Sequence, residues 1–150
     1  MSYYFSTRVH CSFEEAMDLA RRALAAEGFG VISEINLAKT LNEKLGVDFR
    51  PYTILGACAP QLAHEALQIE DKVGTMLPCN VVVQATGEEI EIAAIDPVAS
   101  MQAIANPRLL ERRRSWPKSS NGRSKPSRRQ HRSTNRHLAR LQSLRHGGAM

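Results

Sequence analysis

The chain has 150 residues, 43% of them hydrophobic, enough to bury the core of one domain without disulfides or metal. No run of 18 apolar residues occurs, which excludes a membrane-spanning helix, and three cysteines, an odd number, exclude a complete disulfide framework. The net charge of +5 sums two opposite halves: residues 112–150 hold 12 Lys and Arg and no acid, leaving eight Lys and Arg against all 15 acids in residues 1–111, a net −7.

In chain order, residues 3–9 are aromatic and β-branched and predict a first strand. Ser12-Phe13-Glu14-Glu15 fits a capping box, in which hydroxyl and carboxylate each satisfy an orphan amide. The helix it opens carries Phe13, Met17 and Leu24 near helical spacing and stops at Gly28, which tolerates the left-handed conformation. Residues 29–37 predict a second strand through Val31, Ile32 and Ile35. A short helix over 40–45 is stopped by Gly46. Residues 52–55 predict a third strand closing on Gly56.

Pro60 suits a first helical position, where its missing amide costs nothing. The helix it opens carries Leu62, Ala63, Ala66, Leu67 and Ile69 and breaks before Gly74. Val81-Val82-Val83 predicts a fourth strand. Ala85-Thr86-Gly87-Glu88 predicts a turn, and residues 89–95 alternate Glu89 and Glu91 against Ile90 and Ile92, a half-buried fifth strand. The last two strands predict a hairpin. Asp96-Pro97 caps a final helix running through Met101 and Ile104 to Asn106-Pro107.

The order β-α-β-(α)-β-α-β-β-α predicts an α+β two-layer sandwich, with helices packed on one face of a mainly antiparallel sheet. Residues 1–111 form that domain. From Arg112 apolar periodicity is lost, and low hydrophobicity with high charge predicts a disordered basic tail over 112–150. Met1-Ser2-Tyr3-Tyr4-Phe5 carries neither a charged leader nor an apolar signal core, so a cytoplasmic location is expected.

Two segments hold the chemistry-bearing residues, Ile54-Leu55-Gly56-Ala57-Cys58-Ala59-Pro60 and Met76-Leu77-Pro78-Cys79-Asn80-Val81. Each sets a cysteine at a strand end, where open sheets form ligand crevices. If the strands are neighbours, Cys58 and Cys79 meet. His64, one turn into the helix from Pro60, is the candidate base or third ligand. Three readings follow: a redox pair, a thiol nucleophile with His64 as base, or a metal site on Cys58, Cys79 and His64.

The plainer alternative is packing, since free cysteine is among the most buried residue types. A CxxC spacing is missing, so neither a thioredoxin-like nor a zinc-ribbon site is supported. Asn80, Tyr52, Glu34 and Lys44 complete the candidate ligand-binding set; Glu34 and Lys44 can pair or line a pocket. Cys11 reads as packing and His10 as a loop residue. Gly28-Phe29-Gly30 follows a helix and lacks a third glycine, so it is no nucleotide fingerprint.

The stretches Glu27-Gly28-Phe29-Gly30-Val31, Leu41-Asn42-Glu43-Lys44-Leu45-Gly46-Val47, Tyr52-Thr53-Ile54-Leu55-Gly56-Ala57-Cys58 and Leu77-Pro78-Cys79-Asn80-Val81-Val82-Val83, with Asp96-Pro97, resemble the bacterial and archaeal family called domain of unknown function 302, over roughly residues 3–110. The resemblance implies a compact α+β sandwich that forms a homodimer, and no settled activity or cofactor. Its last helix usually runs on where this chain turns to Arg112-Arg113-Arg114, which reads as a frameshifted or acquired end. Three functions follow: small-molecule or metal binding in a cleft near the cysteines, nonspecific polyanion binding by the tail, and a homodimeric interaction protein.

Overall fold

The computed structural model describes residues 3–104 and 106–109. The basic stretch 112–150, and with it the expected tail, lies outside the described residues. Five strands, β1 (Tyr4–Val9), β2 (Gly30–Asn36), β3 (Tyr52–Cys58), β4 (Cys79–Thr86) and β5 (Glu89–Ile95), form one sheet in the order β1-β5-β4-β3-β2. Every neighbouring pair is antiparallel. With helices α1 (Phe13–Ala26), α2 (Leu37–Leu45) and α3 (Pro60–Ile69), this is the expected α+β sandwich.

Helix α1 begins as its sequence dictates. The Ser12 hydroxyl accepts from the Glu15 amide at 3.2 Å, and the Ser12 amide donates back to the Glu15 carboxylate at 2.9 Å. The Ser12 amide and, at 3.0 Å, the Ser12 hydroxyl both donate to the Glu15 carboxylate and hold its carboxyl below its ordinary pKa. At the other end Gly28 takes φ +83°, and the Phe29 amide reaches back to the Leu24 carbonyl at 2.9 Å, which closes a Schellman turn.

Ser12→Ala should cost about 1 kcal/mol, the usual loss for an N-cap hydroxyl, read as a lower denaturation midpoint. A carboxyl whose folded pKa is depressed stabilises above its unfolded pKa, and that contribution fades as pH falls through the folded value. Wild type should therefore lose more stability than Ser12→Ala on acidification below the ordinary carboxylate range.

The apolar stripe of α1, Ala16, Met17 and Ala20, packs on the inner sheet face, where Val9, Leu55, Ala57, Val81, Val83 and Ile90 are buried. Ile92 packs beside them while Glu89 and Glu91 meet Arg8, so the alternation expected for β5 holds. Cys11 packs against the same core, as its position between strand and cap implied. A two-residue turn, Gly87-Glu88, joins β4 to β5, with Gly87 at φ +71°.

Several local expectations change. Helix α2 starts three residues earlier than its periodicity suggests, because Asn36, the last residue of β2, also caps it by accepting from the Lys39 amide at 2.9 Å. Strand β3 runs through Gly56 to Cys58, and β4 starts at Cys79; pairing with flanking strands carries both beyond their most apolar residues. The helix expected from Asp96-Pro97 to Asn106-Pro107 is instead one turn, α4 (Pro97–Ser100), followed by a 3-10 turn, Met101–Ala103. Asp96 does cap it, accepting from the Ala99 amide. Strand β2 bulges at Ile32, which stands 65% exposed.

Candidate functional site

The β3–β4 ladder builds the site. Cys79 stands directly opposite Ala57, and Asn80 opposite Gly56. Cys58, opposite Gly30 of β2, is one residue out of register with Cys79. Helix α3 and a 3-10 turn, Asp71–Met76, connect the two strands at this same end. β3 and β4 are neighbours, which sets the two cysteines one rung apart.

Both thiols are free. Burial pushes the Cys79 thiol above its ordinary pKa, and the nearby Cys58 charge pushes it further. A pleated strand sends successive side chains to opposite faces, so Cys58 leaves β3 away from the face shared by Ala57 and Cys79. That geometry suits two neighbouring thiols better than a cross-strand disulfide.

At pH 7 to 8 Cys79 should therefore remain a thiol. Its alkylation by iodoacetamide, followed by peptide mass spectrometry, should keep accelerating at pH values where an ordinary exposed cysteine has levelled off. Cys58→Ser should lower the pH needed, because it removes one of the two causes of the shift.

Beside the cysteines lies a close contact that no sequence signal revealed. A Cβ placed on Gly56 would collide with Ser33 Oγ of β2 and come within 2.7 Å of Pro78 Cγ. The hydroxyl of Ser33 thus occupies the space that a side chain on Gly56 would need. The bulge at Ile32 is what sets Ser33 opposite Gly56. Ser33, Gly56 and Asn80 consequently share one rung across three strands, with Ser33 and Asn80 exposed.

The other expected site residues disperse. His64 lies on the exposed side of α3, its Nε2 3.5 Å from Gln68 Nε2 one turn on. Ala66, two residues along, is the buried position of that helix, so the helical phase turns His64 outward. Among the described residues no three His, Cys, Asp or Glu side chains gather as a metal-holding group, so Cys58, Cys79 and His64 are not assembled into one.

Glu34 pairs with Arg21 of α1 at 2.5 Å, not with Lys44, because the inner face of β2 looks toward α1. Lys44 sits in the last turn of α2, where a cation complements the helix dipole. Tyr52 belongs to the opposite end of β3, its ring centroid 5.9 Å from that of Phe49 and 5.6 Å from the Arg50 guanidinium.

At that far end, polar side chains cross the outer sheet face in a chain. Arg50 donates to Gln84 Oε1 at 2.7 and 3.0 Å, and Gln84 donates to Glu91 at 2.8 Å. Arg8 lies 4.0 Å from Glu91 and 3.6 Å from Glu89, and His10 Nε2 is 2.9 Å from Glu89. Scattered through the sequence, these residues show no motif; only strand order lines them up.

Among the described residues no helix is long and apolar enough to cross a membrane. No curated protein matches the chain. A crystal structure of an uncharacterised conserved DUF302 protein from Bacillus stearothermophilus is similar at 30% identity and a TM-score of 0.67, over 74% of this chain and 87% of that one. The family model described as domain of unknown function DUF302 matches residues 5–115. The chain therefore belongs to the DUF302 family.

Proposed function

We propose that the domain binds a small molecule at the sheet end that carries Cys58, Cys79 and Asn80. The observation behind this reading is the register of β2, β3 and β4, which puts Cys58 on the sheet face of the exposed Asn80 amide, with Cys79 beside them on the other face. The Asn80 amide both donates and accepts hydrogen bonds, while the partly buried Cys58 thiol on the same face offers a soft, apolar surface. Among the described residues no third donor joins the two thiols, and a resident zinc ion takes at least three protein ligands, which favours a small ligand. A reducing, cytoplasmic setting keeps both cysteines as thiols.

Native mass spectrometry of the protein purified under reducing conditions tests the reading. A small ligand should be retained by wild type and lost in Cys58→Ala and Cys79→Ala, with far-UV circular dichroism unchanged. A bare wild-type mass, or a ligand kept by both variants, would leave the cysteines a packing role.

The charge asymmetry supports a second reading, polyanion binding by residues 112–150. Its affinity should fall steeply with salt and vanish on truncation after Glu111. Binding that survives the truncation would place it elsewhere.

A further inference from the structure

Arg50 is an exposed arginine held in one orientation. Its guanidinium lies over two rings, 4.5 Å from the Phe49 centroid and 5.6 Å from that of Tyr52. Its Nε and Nη2 both donate to Gln84 Oε1, at 3.0 and 2.7 Å. The segment that carries it is pinned on either side. Asn42 Nδ2 donates to the Val47 carbonyl at 3.3 Å, and the Pro51 carbonyl accepts from the Ala85 amide at 3.0 Å. A long, flexible side chain has thereby lost much of its freedom before any ligand arrives, which lowers the cost of binding one.

What this arginine lacks is a counter-ion. Arg8 meets Glu89 and Glu91, and Arg21 meets Asp18 and Glu34. Among the described residues no carboxylate forms an ion pair with Arg50. Asp48, close by in sequence, accepts from Asn42 instead. Gln84 supplies an acceptor without charge and passes its own amide hydrogen to Glu91. It covers the Nε–Nη2 side of the guanidinium and leaves the Nη1–Nη2 end open. That end presents two parallel N–H donors, the fork that matches a carboxylate.

An apolar floor adjoins the fork. Tyr52 and Gln84 face each other across β3 and β4, as do Ile54 and Val82 two residues along each strand. Side chains two residues apart leave a strand on the same face, about 7 Å from one another. Ile35 of β2 extends the apolar row beside Ile54. It is 47% exposed, while Ile54 and Val82 stay partly exposed. Contiguous apolar surface left in water beside an oriented polar group marks a binding site.

We propose that the outer face at this end binds an organic carboxylate with an apolar body. The carboxylate meets the open end of Arg50, and the body lies across Ile54, Val82 and Ile35. Charge selects a monoanion. Arg50 is one cation, and Glu91 stands just beyond Gln84, so a doubly charged phosphate gains repulsion along with its attraction. The site lies at the opposite end of β3 from Cys58 and does not depend on ligand binding at the cysteines.

Isothermal titration calorimetry of the full chain with 2-naphthoate tests it. Wild type should bind this probe, and bind its neutral counterpart 2-naphthamide about 10-fold more weakly or worse. Arg50→Met keeps the length of the side chain and removes its charge. It should weaken 2-naphthoate binding about 10- to 100-fold, as for lost hydrogen bonds to a charged group, with far-UV circular dichroism unchanged. Arg50→Lys should recover only part of the loss, because an ammonium lacks the fork. Cys58→Ala should bind the probe as wild type does. No binding of millimolar 2-naphthoate by wild type, or equal binding by Arg50→Met, overturns the proposal. So does tighter binding of 2-naphthyl phosphate, or loss of the probe in Cys58→Ala, which would place it at the cysteine end.

Discussion

Replacing Gly56 by alanine should lower the stability of the domain by about 2 kcal/mol or more, within the range for overpacking a tight site. A single methyl has this effect because the space above Gly56 is already filled. The Ser33 hydroxyl occupies it from one side, and the Pro78 ring stands 2.7 Å from where the new carbon would lie. Gly56 sits mid-strand with partners on both sides, so the backbone cannot yield without disturbing two ladders. Its glycine serves close approach, not a left-handed turn.

Ser33→Ala should recover part of the loss in the double variant, since it removes the nearer obstacle and leaves Pro78 in place. Urea denaturation of the four proteins at constant m-value measures the coupling. A Gly56→Ala midpoint equal to that of wild type would show that the two neighbours relax freely. The same substitution bears on function. Gly56 shares a rung with Asn80 and lies two residues from Cys58, so a shift there moves the proposed ligand end.

Leu55→Ala should cost about 3 kcal/mol, in the range for truncating a fully buried leucine. The residue is entirely inaccessible, at the centre of the inner face among Ala57, Val81 and Val83. The loss combines removed apolar contacts with the cavity that rigid strand neighbours cannot close. Against the 5–15 kcal/mol that holds a typical domain together, this is a large fraction. Ile32→Ala is the matched control. It removes a similar side chain from the exposed bulge and should stay within about 0.5 kcal/mol of wild type. Equal losses at the two positions would contradict the assignment of inner face and bulge.

Nearly every element was legible in the sequence because its signals are local. The capping box at Ser12 and Glu15, the stop at Gly28, Pro60 as a helix opener, and the alternation of Glu89 to Ile92 each act within a few residues. Two cysteines flanked by Gly and Pro also marked the strand ends that prove to be neighbours. Fold class followed from the order of those elements, since helices and strands with one apolar face must bury it against each other.

Tertiary pairing decided the rest. Whether Cys58 and Cys79 stand face to face or on opposite sides of the sheet depends on a one-residue register, which local propensity does not specify. His64 turned outward because burial of Ala66 set the phase of α3, and Glu34 chose Arg21 because β2 landed beneath α1. The fit of Ser33 over Gly56, and the polar chain from Arg50 to His10, arise from strand order β1-β5-β4-β3-β2. Periodicity along a chain determines which residues seek an interior. Only the pairing of distant strands determines which residues meet there.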